Sequence, residues 1–419
     1  MDAPSSSPPL GLARAVVWRL LAPAAIGAAT GAIVAAASSL TEDRALGALA
    51  SLPDGWPALL CPLALLVTLA VATFVTRATR PSTAELYIVT YHADVCRLPL
   101  RQIPGRVLAA MTTVGFGGSQ GLESPSALTG AGMGDALGRV VGSLPEQERR
   151  SLIVAGASAG IAAVFSSPGV GMLYGIEIPF RRDVDARRLV PCAIAAAAAF
   201  AVRDALVGAR RIAVLESTPV VDATFALGVA LVAIGCGVGA RLFAETGEWL
   251  KGLARGGTPL GRAVVAGAVL AGLAWTGHAL TGSWITFGPG YVASDWVRHG
   301  SYPIWLLLAT LVIRAAGTLT CVYGGGGGGV FTSLACCGVF VGQIVGELVG
   351  RTESDLFPFL GAACFLGSGY RLPLACMMLV LEGATSISVA VAGLVAIAIG
   401  QVLMGRESVS DAKRDHRMD

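Results

Sequence analysis

This chain has little charge and few aromatic side chains for its length. Of its 419 residues, 14% are Asp, Glu, Lys or Arg and 6% are aromatic, whereas 54% are hydrophobic. A soluble globular protein carries about 25% charged residues. The net charge of +3 is also too small to indicate a nucleic-acid-binding protein, so we expect no nucleic-acid partner. The deficit of charge is atypical of a soluble protein.

Patterns that bind metals or form disulfide frameworks are also missing. The nine cysteines are scattered through apolar segments without a C-x-x-C pair, and the four histidines do not cluster with them. Such cysteines are typical of small buried hydrophobic residues. Six glycines, Gly324–Gly329, precede Val330 rather than the Lys-Ser/Thr of a phosphate-binding loop. We therefore expect no metal site, and a glycine stretch that lets the backbone approach an anion.

Long apolar runs dominate what remains. They recur from Val16 to Leu403, and the mean hydropathy of the chain is +0.70. Several runs are too short to cross about 30 Å of hydrocarbon at 1.5 Å per residue, and glycine and proline interrupt them. Helices broken at mid-membrane are how transporters direct backbone dipoles at a substrate. The sequence predicts an all-α polytopic membrane protein with broken helices of uneven length.

The ends of the chain are polar and charged. We expect residues 1–12 to be a flexible N-terminus, 13–404 to form one transmembrane domain, and 405–419 to be a short tail. Because Arg14 and Arg19 border the first apolar run, the positive-inside rule places both termini in the cytoplasm. We expect a multi-pass protein of the cell (inner) membrane.

An internal repeat divides the apolar region. Two segments share a Gly-to-Pro spacing of 12 residues and a Pro-to-Glu spacing of 9: Gly156, Pro168 and Glu177 in one, and Gly361, Pro373 and Glu382 in the other. We assign repeat one to about 60–207 and repeat two to about 222–404. If the two copies are inverted, their broken helices meet at mid-membrane and several helix ends face one ion.

Glu123 lies in a glycine-rich segment, Gly117–Ser126, flanked by apolar sequence. Carboxylates within membrane segments are expensive and usually serve ion or proton transport. A position just before an apolar helix also suits anion binding, because backbone N–H groups collect at helix N-termini. The alternative is a loop carboxylate in a solvated turn. We favour a gate in which the carboxylate occupies the anion's position until it is protonated or displaced.

Taken together, these motifs resemble the CLC family of chloride channels and chloride/proton antiporters over roughly residues 80–405. Gly121–Pro125 is similar to the family's G-K/R-E-G-P element, and Gly329–Ser333 to its G-x-F-x-P element. Arg371–Glu382 is similar to an R-x-P…E segment further along the chain. Each motif is weak alone, whereas their order and spacing together are specific.

The resemblance implies a homodimer in a lipid bilayer, one anion pathway per subunit, intramembrane helices and no cofactor. It implies that the protein is a transporter of chloride or a related small anion, with possible proton exchange, and not an enzyme. By the same resemblance the gating glutamate is Glu123. The implied anion-facing positions are Gly121, Leu122, Ser124, Gly329, Val330 and Phe331.

Three departures from the family pattern affect the inner half of the pathway. The family's anion-binding serine loop aligns near Pro81, leaving Ser82 and Thr83 as nearby substitutes, and its pore tyrosine aligns with Val409, which has no phenol. The inner proton-transferring glutamate aligns with Ile178. An apolar side chain cannot exchange protons, so the sequence favours passive or weakly coupled anion transport over strict chloride/proton antiport.

Two other functions compete with this interpretation. A carrier for a cation or organic acid is one, although no carboxylate cluster suited to cations is present. The other is an intramembrane serine hydrolase, because Gly156–Gly160 satisfies G-x-S-x-G around Ser158. A serine nucleophile needs a partnered base, and His278 is the one histidine expected at membrane depth. Packing of small residues is the better interpretation of Ser158.

Overall fold

The computed structural model describes residues 17–53, 55–76, 85–142, 144–208, 215, 219–351, 355–405, 407–410 and 412–415. Within these ranges the chain forms helices joined by short loops and two isolated backbone bridges, without a regular strand. The helices of the first half are α1 Ala22–Ser38, α2 Leu46–Ala50, α3 Trp56–Val71, α4 Leu86–Tyr91, α5 Ile103–Gly115, α6 Glu123–Val141, α7 Glu146–Phe165, α8 Pro168–Glu177 and α9 Leu189–Val207.

The second half has a similar series. Its helices are α10 Ala223–Leu253, α11 Pro259–Thr281, α12 Tyr291–Arg298, α13 Ile304–Gly324, α14 Phe331–Leu348, α15 Leu356–Tyr370, α16 Pro373–Gly383 and α17 Ile387–Met404. Short π-helical turns (Val17–Leu21, Ser39–Ala45, Ala72–Thr76) and 3-10 turns (Leu100–Gln102, Ala186–Arg188) adjoin these helices.

The lengths of the helices are unequal, as the sequence predicts. Eight helical stretches of the described chain are long and apolar enough to span a membrane: Arg19–Ala50, Trp56–Thr76, Ala186–Val207, Ala223–Leu253, Pro259–Thr281, Ile304–Gly324, Phe331–Leu348 and Ile387–Met404. Others, such as α16 with 11 residues, are too short. The prediction of an all-α polytopic membrane protein with broken helices is confirmed.

Glycines bring equivalent helices of the two repeats into close contact. In repeat one, a Cβ added at Gly156 of α7 would overlap the carbonyl oxygen of Gly130 on α6. In repeat two, a Cβ added at Gly361 of α15 would overlap the carbonyl oxygen of Gly338 on α14. In lipid there is no hydrophobic driving force for helices to associate, so close packing through small residues contributes to their association. The α6–α7 pair and the α14–α15 pair are therefore built in the same way.

Two carboxylates join the repeats across α8 and α16. Glu177, the last residue of α8, accepts hydrogen bonds from the backbone N–H groups of Leu374 and Ala375 at the start of α16, both at 2.9 Å. Reciprocally, Glu382 near the end of α16 accepts from the N–H of Gly169 at 2.6 Å and from the Ser167 hydroxyl. The two short helices are thus antiparallel neighbours, as inverted repeats require. Both glutamates therefore cap the N-terminus of the other short helix.

The centre of the bundle is formed by α7, α14 and α15, whose side chains are almost entirely buried. All nine cysteines are buried and free, as their scattered positions predict. This enclosed centre fixes the loops that precede α6 and α14, where the site lies.

Candidate functional site

Glu123 is the first residue of α6, and its side chain is only 1% exposed. The hydroxyl of Thr332, in the first turn of α14, donates a hydrogen bond to Glu123 Oε1. The backbone N–H groups of Glu123 and Thr332 also face the carboxylate. No described residue is a hydrogen-bond partner of Oε2. The N-termini of one helix from each repeat therefore converge on a single carboxylate, a position that favours negative charge.

A backbone bridge fixes the two loops that carry these helix ends. The N–H of Gly121 donates to the carbonyl of Gly329 at 2.9 Å, and the N–H of Gly329 donates back to Gly121 at 2.7 Å. A Cβ added at Gly329 would lie 2.7 Å from Glu123 Oε2 and 2.8 Å from Ser124 Oγ, and one at Gly121 would overlap the carboxylate. Glycine at both positions lets the carboxylate lie against the bridged backbone.

Arg314 supplies a buried positive charge next to this site. It lies in α13, is 0% exposed, and donates hydrogen bonds to the carbonyls of Thr286 and Gly288, both at 2.7 Å, and to Ser333 Oγ at 3.2 Å. Its charge acts on the Glu123 carboxylate. The motif analysis missed it, although an arginine within an apolar run was a usable signal.

A cavity of ≈ 270 Å³ leads from the surface to the bridged loops. Its inner end reaches Ser124, Gly329 and Val330, and the hydroxyl of Ser124 has no hydrogen-bond partner among the described residues. Glu123 itself does not line the cavity, but it immediately precedes Ser124 and its carboxylate lies next to Gly329, which does line it. Charged side chains surround the outer part: Glu85, Glu248, Lys251, Arg255 and Arg262. Three cations against two carboxylates favour anions at this mouth.

Tyr370 lines the cavity and belongs to a cluster of aromatic side chains. Phe331 stacks on Tyr370, with ring centroids 3.8 Å apart, and contacts Tyr174 edge-on at 5.6 Å. The hydroxyls of Tyr174 and Tyr87 share a hydrogen bond. Val409, the position aligned with the family's pore tyrosine, lines the cavity. Tyr370, at the end of α15, nevertheless brings a phenol to the same space.

Of the remaining positions predicted from the sequence, the structure describes Leu122 and Ile178. Leu122 is 2% exposed and precedes α6, and Ile178 is 1% exposed and follows α8. Ile178 is therefore a buried apolar residue without a titratable group. Ser82 and Thr83 lie outside the described residues.

The hydrolase alternative lacks its catalytic machinery in the described structure. Ser158 is 0% exposed, and no described histidine forms a hydrogen bond with its hydroxyl. His278 stacks on Trp284, with ring centroids 4.0 Å apart, on α11. The G-x-S-x-G pattern reflects close packing of small residues. The described chain also holds no group of three or more His, Cys, Asp or Glu residues able to bind a metal.

Comparisons with known proteins agree with this geometry. The chain is 25% identical over 395 residues to the H(+)/Cl(−) exchange transporter ClcA of Salmonella arizonae, covering 87% of this chain and 80% of that protein. It is 33% identical over 112 residues to a chloride/fluoride channel protein of Pseudomonas syringae pv. tomato, covering 27% of this chain and 25% of that protein.

Solved structures show the same fold. A CLC-type fluoride/proton antiporter matches with a TM-score of 0.80 and 20% identity, covering 96% of this chain and 98% of that one. A slow cyanobacterial Cl⁻/H⁺ antiporter matches with a TM-score of 0.76 and 19% identity, covering 94% of this chain and 96% of that one. The family described as voltage gated chloride channel matches residues 63–405. The protein therefore belongs to the voltage-gated chloride channel (CLC) family.

Proposed function

We propose that this protein transports chloride or a related small anion across the membrane, with Glu123 as the gate. One observation carries the proposal. The Glu123 carboxylate occupies the point where the N-termini of α6 and α14 converge, immediately behind the inner end of a cavity open to the surface. A carboxylate at an anion-binding point competes with the anion. Protonation of Glu123 removes that competition and opens the pathway.

The surrounding charges favour an anion as substrate. Arg314 provides a buried cation beside the gate, and its two terminal nitrogens donate to backbone carbonyls and Ser333 rather than to a carboxylate. Lys251, Arg255 and Arg262 line the outer part of the cavity. Such a distribution raises the local concentration of anions and disfavours cations. The cation-carrier alternative has no comparable support.

The degree of proton coupling separates two versions of this function. The buried apolar Ile178 supports passive or weakly coupled transport, because it cannot relay a proton. Strict anion/proton exchange is the second candidate, since two structures with the same fold are described as a fluoride/proton and a Cl⁻/H⁺ antiporter. Anion efflux from liposomes with external pH recorded distinguishes them. Proton movement opposite to the anion indicates exchange, and efflux that requires only a potassium ionophore indicates a passive pathway.

Replacing Glu123 tests the gate directly. Glu123→Gln mimics the protonated acid, so we expect anion efflux to persist while its activation between pH 6 and pH 4 disappears, roughly the range in which a carboxyl group titrates. Efflux is measured with chloride, fluoride and nitrate in turn, which also identifies the preferred anion. Glu245→Gln is the matched control, because Glu245 is exposed on α10 and paired with Arg241 at 2.8 Å.

Two results contradict the proposal in different ways. Strong acid activation of the Glu123→Gln protein would show that another group is the gate. Absence of efflux of every anion from the unmodified, correctly folded protein would refute the transport function itself.

The assembly and orientation of the protein follow the same proposal. We infer a homodimer in the cell membrane with both termini cytoplasmic. Exposed apolar residues on α16 and α17, including Leu381, Ile387 and Val391, support a membrane-buried contact between two copies. Cross-linking of single cysteines placed on these helices in native membranes tests the contact, and accessibility of a C-terminal tag to an impermeant protease tests the orientation.

A further inference from the structure

The described residues after α17 return across the molecule and are held there by backbone hydrogen bonds at two places. The N–H of Val409 donates to the carbonyl of Gly369 at 2.9 Å, and the N–H of Arg414 donates to the carbonyl of Pro179 at 3.1 Å. Between these two points, the side chain of Lys413 enters the interior and is only 4% exposed. The sequence contains only one other lysine, Lys251. A buried lysine is rare and needs a structural or functional reason.

Lys413 binds the end of α15. Its ammonium donates hydrogen bonds to the carbonyl of Tyr370 at 2.9 Å and to the carbonyl of Arg371 at 3.0 Å. Tyr370 is the last residue of the helix, and Arg371 follows it in the left-handed conformation with φ of 52°. A cation at this position satisfies carbonyls that a helix C-terminus leaves without partners and matches the negative end of the helix dipole.

Tyr370, whose backbone Lys413 holds, is one of the residues that line the cavity. The ring of Tyr370 lines the cavity and stacks on Phe331, the first residue of α14. Val409 and Ser410, from the same returning segment, line the cavity beside it. The segment therefore provides part of the wall itself and also fixes the backbone of the aromatic residue next to it.

We propose that Lys413 is a positioning residue of the anion pathway, which holds Tyr370 against Phe331 and so sets the shape and anion selectivity of the cavity. This inference rests on the proposed transport function. Lys413 acts through Tyr370 and does not itself touch the anion.

The charges around Lys413 determine the conditions of a test. It faces Glu177 at the end of α8, Cys376 on α16, Arg371 after α15 and Arg181 in the segment after α8. Burial lowers the pKa of Lys413 to about 7; Glu177 opposes this shift, whereas Arg371 and Arg181 add to it. Measurements at pH 5 therefore favour the ammonium form of Lys413 and lie within the range in which the gate is expected to open.

The experiment compares the ratio of chloride to nitrate efflux from liposomes at pH 5. For Lys413→Met we expect the ratio to change by roughly threefold to tenfold, because a charge-assisted hydrogen bond to the Tyr370 carbonyl is lost. Lys413→Arg, which keeps the charge, should restore the ratio to within about twofold of the unmodified protein. Glu407→Gln is the control, because Glu407 lies in the same segment with an exposed side chain.

A second pair of variants tests whether Lys413 acts through Tyr370. Tyr370→Leu should change the ratio by itself, and adding Lys413→Met to it should change the ratio no further, since coupled residues are not additive. Unaltered selectivity in folded Lys413→Met, or additive effects in the double variant, would overturn the inference. So would a Tyr370→Leu protein with the original ratio, whether or not Lys413→Met folds. Absence of anion efflux from the unmodified protein would instead refute the proposed function.

Discussion

Thr332 offers a sharp test of the gate because a small, nearly isosteric change removes one interaction. The Thr332 side chain is 2% exposed, and its hydroxyl donates to Glu123 Oε1. Valine fills the same volume without the donor. A hydrogen bond to a charged group contributes about 1.5–3 kcal/mol. Because that bond stabilises the ionised carboxylate, its loss makes protonation easier. At about 1.4 kcal/mol per pH unit, the midpoint of acid activation in Thr332→Val should move upward by about one to two pH units.

The assay is anion efflux from liposomes with the same pH on both sides, recorded in steps from pH 4 to pH 8. Thr129→Val is the matched control, since Thr129 lies on α6 but donates to the carbonyl of Pro125 at 2.8 Å rather than to the gate. Its midpoint should stay within a few tenths of a pH unit of the unmodified protein. An unchanged midpoint in Thr332→Val would refute the reasoning if Glu123→Gln abolishes acid activation in the same preparation, because the hydroxyl would then not stabilise the gating carboxylate.

Two further predictions concern stability, each read from thermal unfolding in detergent. Gly156→Ala should destabilise the protein by about 1–3 kcal/mol or more, because the new Cβ overlaps the Gly130 carbonyl. The control is Gly252→Ala, at a helical position with open space around it, which should be neutral or slightly stabilising. Equal effects of the two substitutions on stability would contradict the packing argument. Asp185→Asn should destabilise by about 3–5 kcal/mol through loss of the buried ion pair with Arg188 at 2.7 Å. Burial raises the pKa of Asp185, but the bonds from Arg188, Tyr91 and Arg187 outweigh it and hold that pKa below its usual value. The pair therefore stabilises the fold above about pH 4, the pKa of an aspartate in the unfolded chain, and this stabilisation is lost as the pH falls through the pKa of Asp185 in the folded protein. If Asp185→Asn and the unmodified protein lose the same stability on acidification, Asp185 does not contribute to that loss.

Features carried by continuous segments could be predicted from the sequence. The fold class and the repeat follow from apolar runs and from equal spacings of glycine, proline and glutamate, and both are confirmed. The position of Glu123 at a helix N-terminus follows from a glycine-rich turn before an apolar run. Its role as a gate remains a prediction, as do the anion-binding roles of the glycines and residues around it. In each case the signal is local, so neighbouring residues in the sequence are enough to read it.

Features assembled from distant segments could not be predicted in the same way. Arg314, Tyr370 and Lys413 come from α13, α15 and the segment after α17, and only the folded chain brings them near the cavity. The family motifs align the pore tyrosine with Val409, and such an alignment gives no information about tyrosines on other helices. A phenol from another helix can occupy the same cavity, because a cavity is defined by three-dimensional packing rather than by position along the chain.

The reciprocal capping of α8 and α16 by Glu382 and Glu177 has a consequence for the assembly of the protein. Glu177 accepts hydrogen bonds from the N-terminus of α16, which begins at Pro373, and Glu382 accepts one from the N-terminus of α8, which begins at Pro168. During synthesis, the start of α8 enters the membrane more than two hundred residues before the acid that satisfies it. Until then, its backbone N–H groups need water or another partner, since hydrocarbon offers none. Neither half of the chain can therefore reach its final structure alone, and the two halves must complete each other late in assembly.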